Sequence, residues 1–281
     1  MKILFIGTGL IGGSFSLAMQ QQKMLDQAGG YSRNPENLDK SISLGIIQQK
    51  FDSLEAGISW ADWIILSIPV DAIVKLLPGI LDKLNSGQAV IDFGSTKGSI
   101  CEAIRNHKNR SQFIAAHPIA GTEYSGPEAA FPKLFENKSM LICEKELTDP
   151  ELMGQFEKLC IRLSMKVDYL GATDHDRHLA YISHLSHVTS YALSNAVLAK
   201  EKDGSVILEM AGSGFASTVR LAKSSPDMWA PIFLDNKKMV LEAIGQYDSQ
   251  LKKFKQLLEK DDLEGMMSFL TEGRKIGKIL K

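Results

Sequence analysis

Short, continuous apolar runs alternate with stretches of helical spacing through the first part of the chain. The runs fall at residues 2–6, 63–68, 89–93, 113–116, 140–143 and 166–170. Most lack an apolar–polar alternation, as expected of strands covered on both faces. Helical spacing occupies 10–22, 70–84, 97–107 and 150–163, the last with Asp149 as N-cap before a proline at the first helical position. Alternating strands and helices of these lengths predict a doubly wound, mostly parallel α/β sheet. From Asp174 onward only helical periodicity remains. The expected division is a sheet domain over 1–171 and an all-helical domain over 172–281. Within the latter, Trp229, Ile232, Asn236, Val240, Ile244, Tyr247, Leu251, Phe254 and Leu258 recur every three or four positions. They predict a single helix of about 30 residues, roughly 45 Å long. A long surface helix is the plainer reading. A stripe completed by a second copy of the chain, giving a homodimer, suits its length better.

Composition narrows the function classes. The 281 residues are 44% hydrophobic and 23% charged, enough to build a sizeable core and unlike a disordered chain. The net charge of −1 gives no general attraction to nucleic acid or anionic membrane. Cys101, Cys143 and Cys160 are too few and too scattered for a disulfide framework or a zinc knuckle. There is no apolar run of about 18 residues and no cleavable signal pattern. A soluble cytoplasmic protein is expected.

Gly7, Gly9 and Gly12 form a GxGxxG string directly after the first apolar run and at the start of a helix. In that context the glycines allow a tight turn, close approach of backbone to a pyrophosphate, and close helix–strand packing. The segment Gly7, Thr8, Gly9, Leu10, Ile11, Gly12 is therefore the expected dinucleotide cradle of a Rossmann-type domain, its helix amides facing the phosphates. About 20 residues further on, where NAD-binding chains usually carry an acid, stand Ser32 and Arg33. Arg33 suits a 2′-phosphate, which favours NADP over NAD. A solvated arginine, with Asp26 as the ribose partner, is the other reading.

Three further strings carry chemistry: Gly94-Ser95-Thr96-Lys97-Gly98, His117-Pro118-Ile119-Ala120-Gly121-Thr122-Glu123, and Ser183-His184-Leu185-Ser186-His187. With the glycine string, Asp174-His175-Asp176 and the segment from Val219 to Trp229, they occur in the order seen in, and closely resemble, the prephenate dehydrogenase family of tyrosine biosynthesis, arogenate dehydrogenases included. The resemblance spans essentially the whole chain and implies the monofunctional core alone. It implies NAD(P)-dependent oxidative decarboxylation of a cyclohexadienyl alcohol, prephenate giving 4-hydroxyphenylpyruvate. His117 would be the proton acceptor, a role that suits an imidazole. Ser95 would hydrogen-bond both His117 and the substrate hydroxyl. Arg220 would bind a substrate carboxylate, with His187 and Thr122 as further substrate contacts and Glu123 and Trp229 as a gate. The family often reads FRDxxR where this chain has Phe215-Ala216-Ser217-Thr218-Val219-Arg220, so the acid and the first base of that motif are replaced by Ser217 and Ala216 and no ionic gate through that aspartate is expected.

The remaining polar clusters have plainer readings. His175/His178 and His184/His187 are spaced for one helix face, but nearby cysteines are lacking and no metal is expected. His184 reads as a packed structural histidine, and 174–178 as a helix cap with a solvated first turn. Two other functions remain open. A β-hydroxyacid dehydrogenase would carry a catalytic lysine early in the second domain, where this chain has histidines. A dinucleotide sensor would need no proton acceptor.

Overall fold

The computed structural model describes residues 1–202 and 206–279. Two compact units divide the chain, Met1–Asn236 and Lys237–Lys281.

The first unit is built on eight strands. In chain order its elements are β1 (Lys2–Ile6), α1 (Leu10–Gln21), β2 (Gln27–Tyr31), α2 (Pro35–Ser43), β3 (Gln49–Lys50), α3 (Leu54–Trp60), β4 (Trp63–Leu66), α4 (Val70–Leu81), β5 (Ala89–Asp92), α5 (Gly98–Ala103), β6 (Phe113–Pro118), β7 (Ser139–Cys143), α6 (Pro150–Arg162) and β8 (Lys166–Leu170). The sheet order is β3-β2-β1-β4-β5-β6-β7-β8. All pairings are parallel except β6 with β7, where His117 faces Leu141. Strand order reverses between β1 and β4, which opens a crevice at their carboxyl ends. Residues Leu4, Phe5, Ile64, Ile65, Val90, Ile91, Ile114 and Ala115 are fully buried, accounting for the unbroken apolar runs.

β2 escaped the hydrophobic pattern because its sequence is Gln-Ala-Gly-Gly-Tyr. The glycines answer to crowding. A Cβ at Gly29 would lie 2.6 Å from a ring carbon of Phe51, and one at Gly30 2.6 Å from Ile47 Cδ1. β2 is a strand because β1 pairs along its whole length, from Lys2 opposite Gln27 to Ile6 opposite Tyr31.

After Leu170 every described element is helical: α7 (Ala172–Leu179), a π-helical turn (Ala180–His184), α8 (Leu185–Lys202), α9 (Ser213–Thr218) and α10 (Pro226–Asp235). Ala172, Trp229 and Ile232 share a core with Leu66, Val90 and Ile100. The expected boundary at 171/172 thus marks the end of the sheet, whereas the compact units divide after Asn236. The single helix expected across 229–258 is also two. α10 ends at Asp235 and α11 (Lys237–Glu259) begins after Asn236. Asn236, the polar member of the stripe, is buried and donates from its amide to the Asp176 carbonyl at 2.7 Å.

The second unit comprises α11, α12 (Leu263–Arg274) and α13 (Ile276–Ile279). Asp262 caps α12 by accepting from Gly265 N at 2.8 Å, and Phe254 meets Phe269 with ring centres 5.6 Å apart. Leu251, Leu258, Leu263, Met267, Leu270 and Ile276 remain exposed. The cysteines are buried free thiols, and burial pushes Cys160 up to about 12. Among the described residues no helix is long and apolar enough to cross a membrane.

Candidate active site

A cavity of about 570 Å³ opens at the carboxyl ends of β1, β4, β5 and β6. Gly9, Leu10 and Ile11 line it from the β1–α1 turn, Ser67 and Ile68 from the end of β4, and Phe93 to Ser95 from the end of β5. His117 and the segment through Gly126 follow from β6, while Leu179, Ser183, His184 and His187 face it from the helices. Arg220, Met228 and Trp229 complete the wall.

The glycine turn has the form a dinucleotide needs. Gly7 has φ +96°, and a Cβ there would collide with the Ser67 carbonyl. Gly12 lies against the Gly7 carbonyl, whereas a Cβ at Gly9 would meet nothing within 4 Å. Gly9 precedes α1 with no side-chain cap, so the first amides of the helix are available to an anion. These residues fit a bound pyrophosphate. Thr8 departs from the expected cradle: it is buried, and its Oγ1 accepts from Ser41 Oγ at 2.6 Å. At the end of β2, Ser32 Oγ accepts from Asn34 N at 3.1 Å and Arg33 is exposed. Asp26 stands at the other end of the strand, paired with the N-terminal ammonium. It is thereby removed as a ribose ligand.

His117 is partly buried on the cavity wall, and its Nδ1 lies 2.9 Å from Nε2 of the fully buried His175. His175 Nδ1 in turn lies 2.9 Å from Asp176 Oδ1. The Asp176 carboxylate also accepts from the backbone amides of Lys97 and Gly98, each at 2.8 Å. Burial, reinforced by the charge of Lys97, holds His117 well below the ordinary histidine value. Burial likewise lowers His175, against the pull of Asp176. For Asp176 burial acts upward, but His175 and the two amides outweigh it and keep the carboxyl low. The three groups therefore form a hydrogen-bonded chain of two neutral rings and one carboxylate.

This corrects the expectation of a solvated first turn at 174–178. Asp174 is exposed and pairs with Arg177 at 2.9 Å, but His175 and Asp176 lie inside. The signal was available: Ala172, His175, Asp176 and Leu179 are the buried residues of α7 and stand at helical spacing. The apolar ends of that stripe enclose the two polar members. Lys97 was missed in the same way. Its ammonium is fully buried, pairs with Asp92 and donates to the Ala116 carbonyl at 2.8 Å, tying the end of β5 to the strand that carries His117.

Ser95 lines the cavity but makes no hydrogen bond to His117, whose Nδ1 is taken by His175. Trp229 is buried and stacked on His187, ring centres 3.5 Å apart. It forms part of the cavity wall, on which Glu123 also lies. Glu123 lies 3.6 Å from Arg220 Nη1, which supplies its counter-charge. His187 Nδ1 donates to the Ser183 carbonyl at 3.1 Å, and burial lowers its pKa. His184 is buried, 3.2 Å from the Asn236 amide, and burial lowers it to about 4. Thr122 lies on the rim, its Oγ1 accepting from Tyr124 N at 3.3 Å.

The chain is similar to known proteins over its whole length. Residues 15–168 match the family model described as prephenate dehydrogenase, nucleotide-binding domain, and 171–272 match prephenate dehydrogenase, dimerization domain. A prephenate dehydrogenase of Lactococcus lactis is 30% identical over 284 residues, covering 100% of this chain and 77% of the relative. The crystal structure of prephenate dehydrogenase from Aquifex aeolicus with hydroxyphenyl propionate and NAD+ superposes with a TM-score of 0.89 at 29% identity, covering 100% of this chain and 98% of that one. Synechocystis arogenate dehydrogenase gives 0.80 at 26%, with full coverage of both chains.

The Lys97–Asp92 pair yields a stability prediction. Lys97→Met leaves a buried carboxylate without its counter-ion and is expected to cost about 3–5 kcal/mol, read as a lower urea midpoint at unchanged slope.

Proposed function

The chain belongs to the prephenate dehydrogenase family, and from that premise we propose that it converts prephenate to 4-hydroxyphenylpyruvate and CO2 as an NAD(P)-dependent oxidoreductase. The observation that carries this reading is one cavity lined by the glycine turn, an uncharged imidazole at His117 and the guanidinium of Arg220. When bound, the nicotinamide supplies the hydride acceptor.

The chain's own residues do the rest. His117 Nε2, the ring nitrogen not engaged by His175, takes the proton of the C4 hydroxyl. Electron density from that oxygen expels the C4 hydrogen as hydride, the electron pair of the bond to the departing CO2 makes the ring aromatic, and the phenolate oxygen takes the proton back from His117. Ser95, on the same wall, orients the hydroxyl. Arg220 receives a substrate carboxylate with two donors, exchanging its ion pair with Glu123 for the ligand. His187, held flat by Trp229, Thr122 and Glu123 border the rest of the substrate. The apolar wall formed by Ile68, Phe93, Leu179 and Ile232 keeps water from the reacting carbon.

A second substrate, arogenate, is favoured by Glu123, whose carboxylate would pair with an amino group where prephenate has a keto group. Nicotinamide absorbance followed with each substrate compares their kcat/KM directly. For the cofactor, Arg33 stands exposed at the end of β2 with no carboxylate in Ser32-Arg33-Asn34, which supports NADP as the preferred form. In the helical half, the exposed apolar residues of α11 and α12 and the match to a dimerization domain support a homodimer.

Three outcomes are expected. His117→Asn should lower kcat by about 10²- to 10⁴-fold while leaving cofactor binding intact in a titration of protein fluorescence. The acid limb of kcat/KM should lie below pH 6.5, since a base with a depressed pKa stays unprotonated to lower pH; a limb at or above 6.5 contradicts the assignment. Arg33→Ala should weaken NADP binding by about tenfold or more, on the order of 1.4 kcal/mol, with NAD affinity nearly unchanged; equal small effects on both would remove the NADP preference.

A further inference from the structure

We propose that His175 and Asp176 are positioning residues that fix the ring tautomer of His117, keeping its Nε2 bare for the substrate proton. The inference rests on the reading of His117 as the base and adds two residues that touch neither substrate nor cofactor.

Asp176 is met by two backbone N–H groups, Lys97 on Oδ1 and Gly98 on Oδ2, both at 2.8 Å. Each of its oxygens is thus an acceptor, as in an ionised carboxylate. His175 Nδ1, 2.9 Å from Oδ1, must therefore carry a proton. A neutral imidazole has one ring proton, so His175 Nε2 presents a lone pair. That lone pair faces His117 Nδ1 at 2.9 Å, and His117 Nδ1 must donate to it. His117 is then left with its own lone pair on Nε2, which has no partner among the described residues, on a ring that lines the cavity. The opposite assignment would set two lone pairs or two N–H groups against each other in a buried site, an arrangement that costs about 1–3 kcal/mol per unsatisfied group. Burial of His175 at 0% exposure keeps water from offering an alternative partner.

The same chain answers the charge that forms in the reaction. Once Nε2 is protonated, the cation on His117 is joined through His175 to a carboxylate held by two amides. A bound substrate therefore meets a base with one orientation and one tautomer, as carboxylates hydrogen-bonded behind other functional histidines provide. Asparagine cannot replace Asp176 here: with backbone donors facing both positions, its NH2 opposes one of them or turns toward His175 Nδ1 and reverses the chain.

The test reads the tautomer directly. Protein labelled with ¹⁵N-histidine, at about pH 8 so that the rings are neutral, is observed by two-bond ¹H–¹⁵N correlation, with the His117 signals assigned by their loss in His117→Asn. The wild type should show the Nδ1–H form at His117, and Asp176→Asn should gain the Nε2–H form. In the same variant kcat should fall by about tenfold or more, with KM and NAD affinity within about twofold. A wild-type His117 in the Nε2–H form overturns the proposal whatever the variant does, including a variant that fails to fold. A folded Asp176→Asn with kcat within about threefold of wild type overturns it as well. Failure of the underlying reading is separate: it would show as a wild type that does not oxidise prephenate, while the tautomer is measured with no substrate present.

Discussion

The site depends on one close approach, that of Asp176 on α7 to the first amides of α5. A carboxylate meets Lys97 N and Gly98 N where the chain leaves β5. A Cβ at Gly98 would sit 2.7 Å from Asp176 Oδ2, so only glycine lets the helix come this near. The contact fixes the first helix after the sheet relative to the strand ends. Two further bonds lock the same junction: Thr96 Oγ1 donates to Asp235 Oδ2 at 2.6 Å, and Asn236 donates to the Asp176 carbonyl. Helix α10, with Trp229, is thereby held over the cavity.

Around this junction the protein buries an unusual amount of polarity. Lys97, Asp92, His175, His184 and Asp176 all lie below the surface. Buried polar groups are tolerable where each finds a partner, and most here do. One oxygen of Asp92 has none among the described residues, while its other oxygen meets Lys97 and the Gly94 amide at 3.0 Å. The low-dielectric setting keeps the histidines neutral, which is the state a proton acceptor needs. Fold stability and chemistry therefore use the same side chains, because the residues that dock helix onto sheet also set the electrostatics of the cavity.

The aromatic packing carries the sheet to the same point from the other face. Phe15 on α1 meets Phe93 at 4.9 Å and Phe135 at 5.6 Å between ring centres. Phe93 lines the cavity just before Ser95. The glycine turn, the core behind it and the carboxyl end of β5 are thus one packed unit, and the helix amides proposed to face a pyrophosphate are held by the contacts that hold the sheet.

Much of this was legible in the residues. Apolar runs marked six of the eight strands because most of those strands are covered on both faces, and the glycine string marked the turn, where Gly7 and Gly12 leave no room for a side chain. The order of strand-end motifs indicated that His117 and Ser95 would share a crevice, since parallel strands deliver their carboxyl ends to one side. β2 was not legible: Gly29 and Gly30 are dictated by Phe51 and Ile47, neighbours that periodicity does not reveal. The break at Asn236 and the inward turn of His175 and Asp176 were hidden for a related reason. A polar residue on a helix reads as solvated unless another element covers it, and covering is a relation between distant segments. The sequence by itself determined the six apolar strands and the glycine turn after the first of them, because these follow from local spacing and residue type. Which polar groups lie in the dry interior, and hence which nitrogen of His117 is engaged, was decided only when α7 packed against α5, because solvent exclusion and hydrogen-bond direction exist only once the distant segments meet.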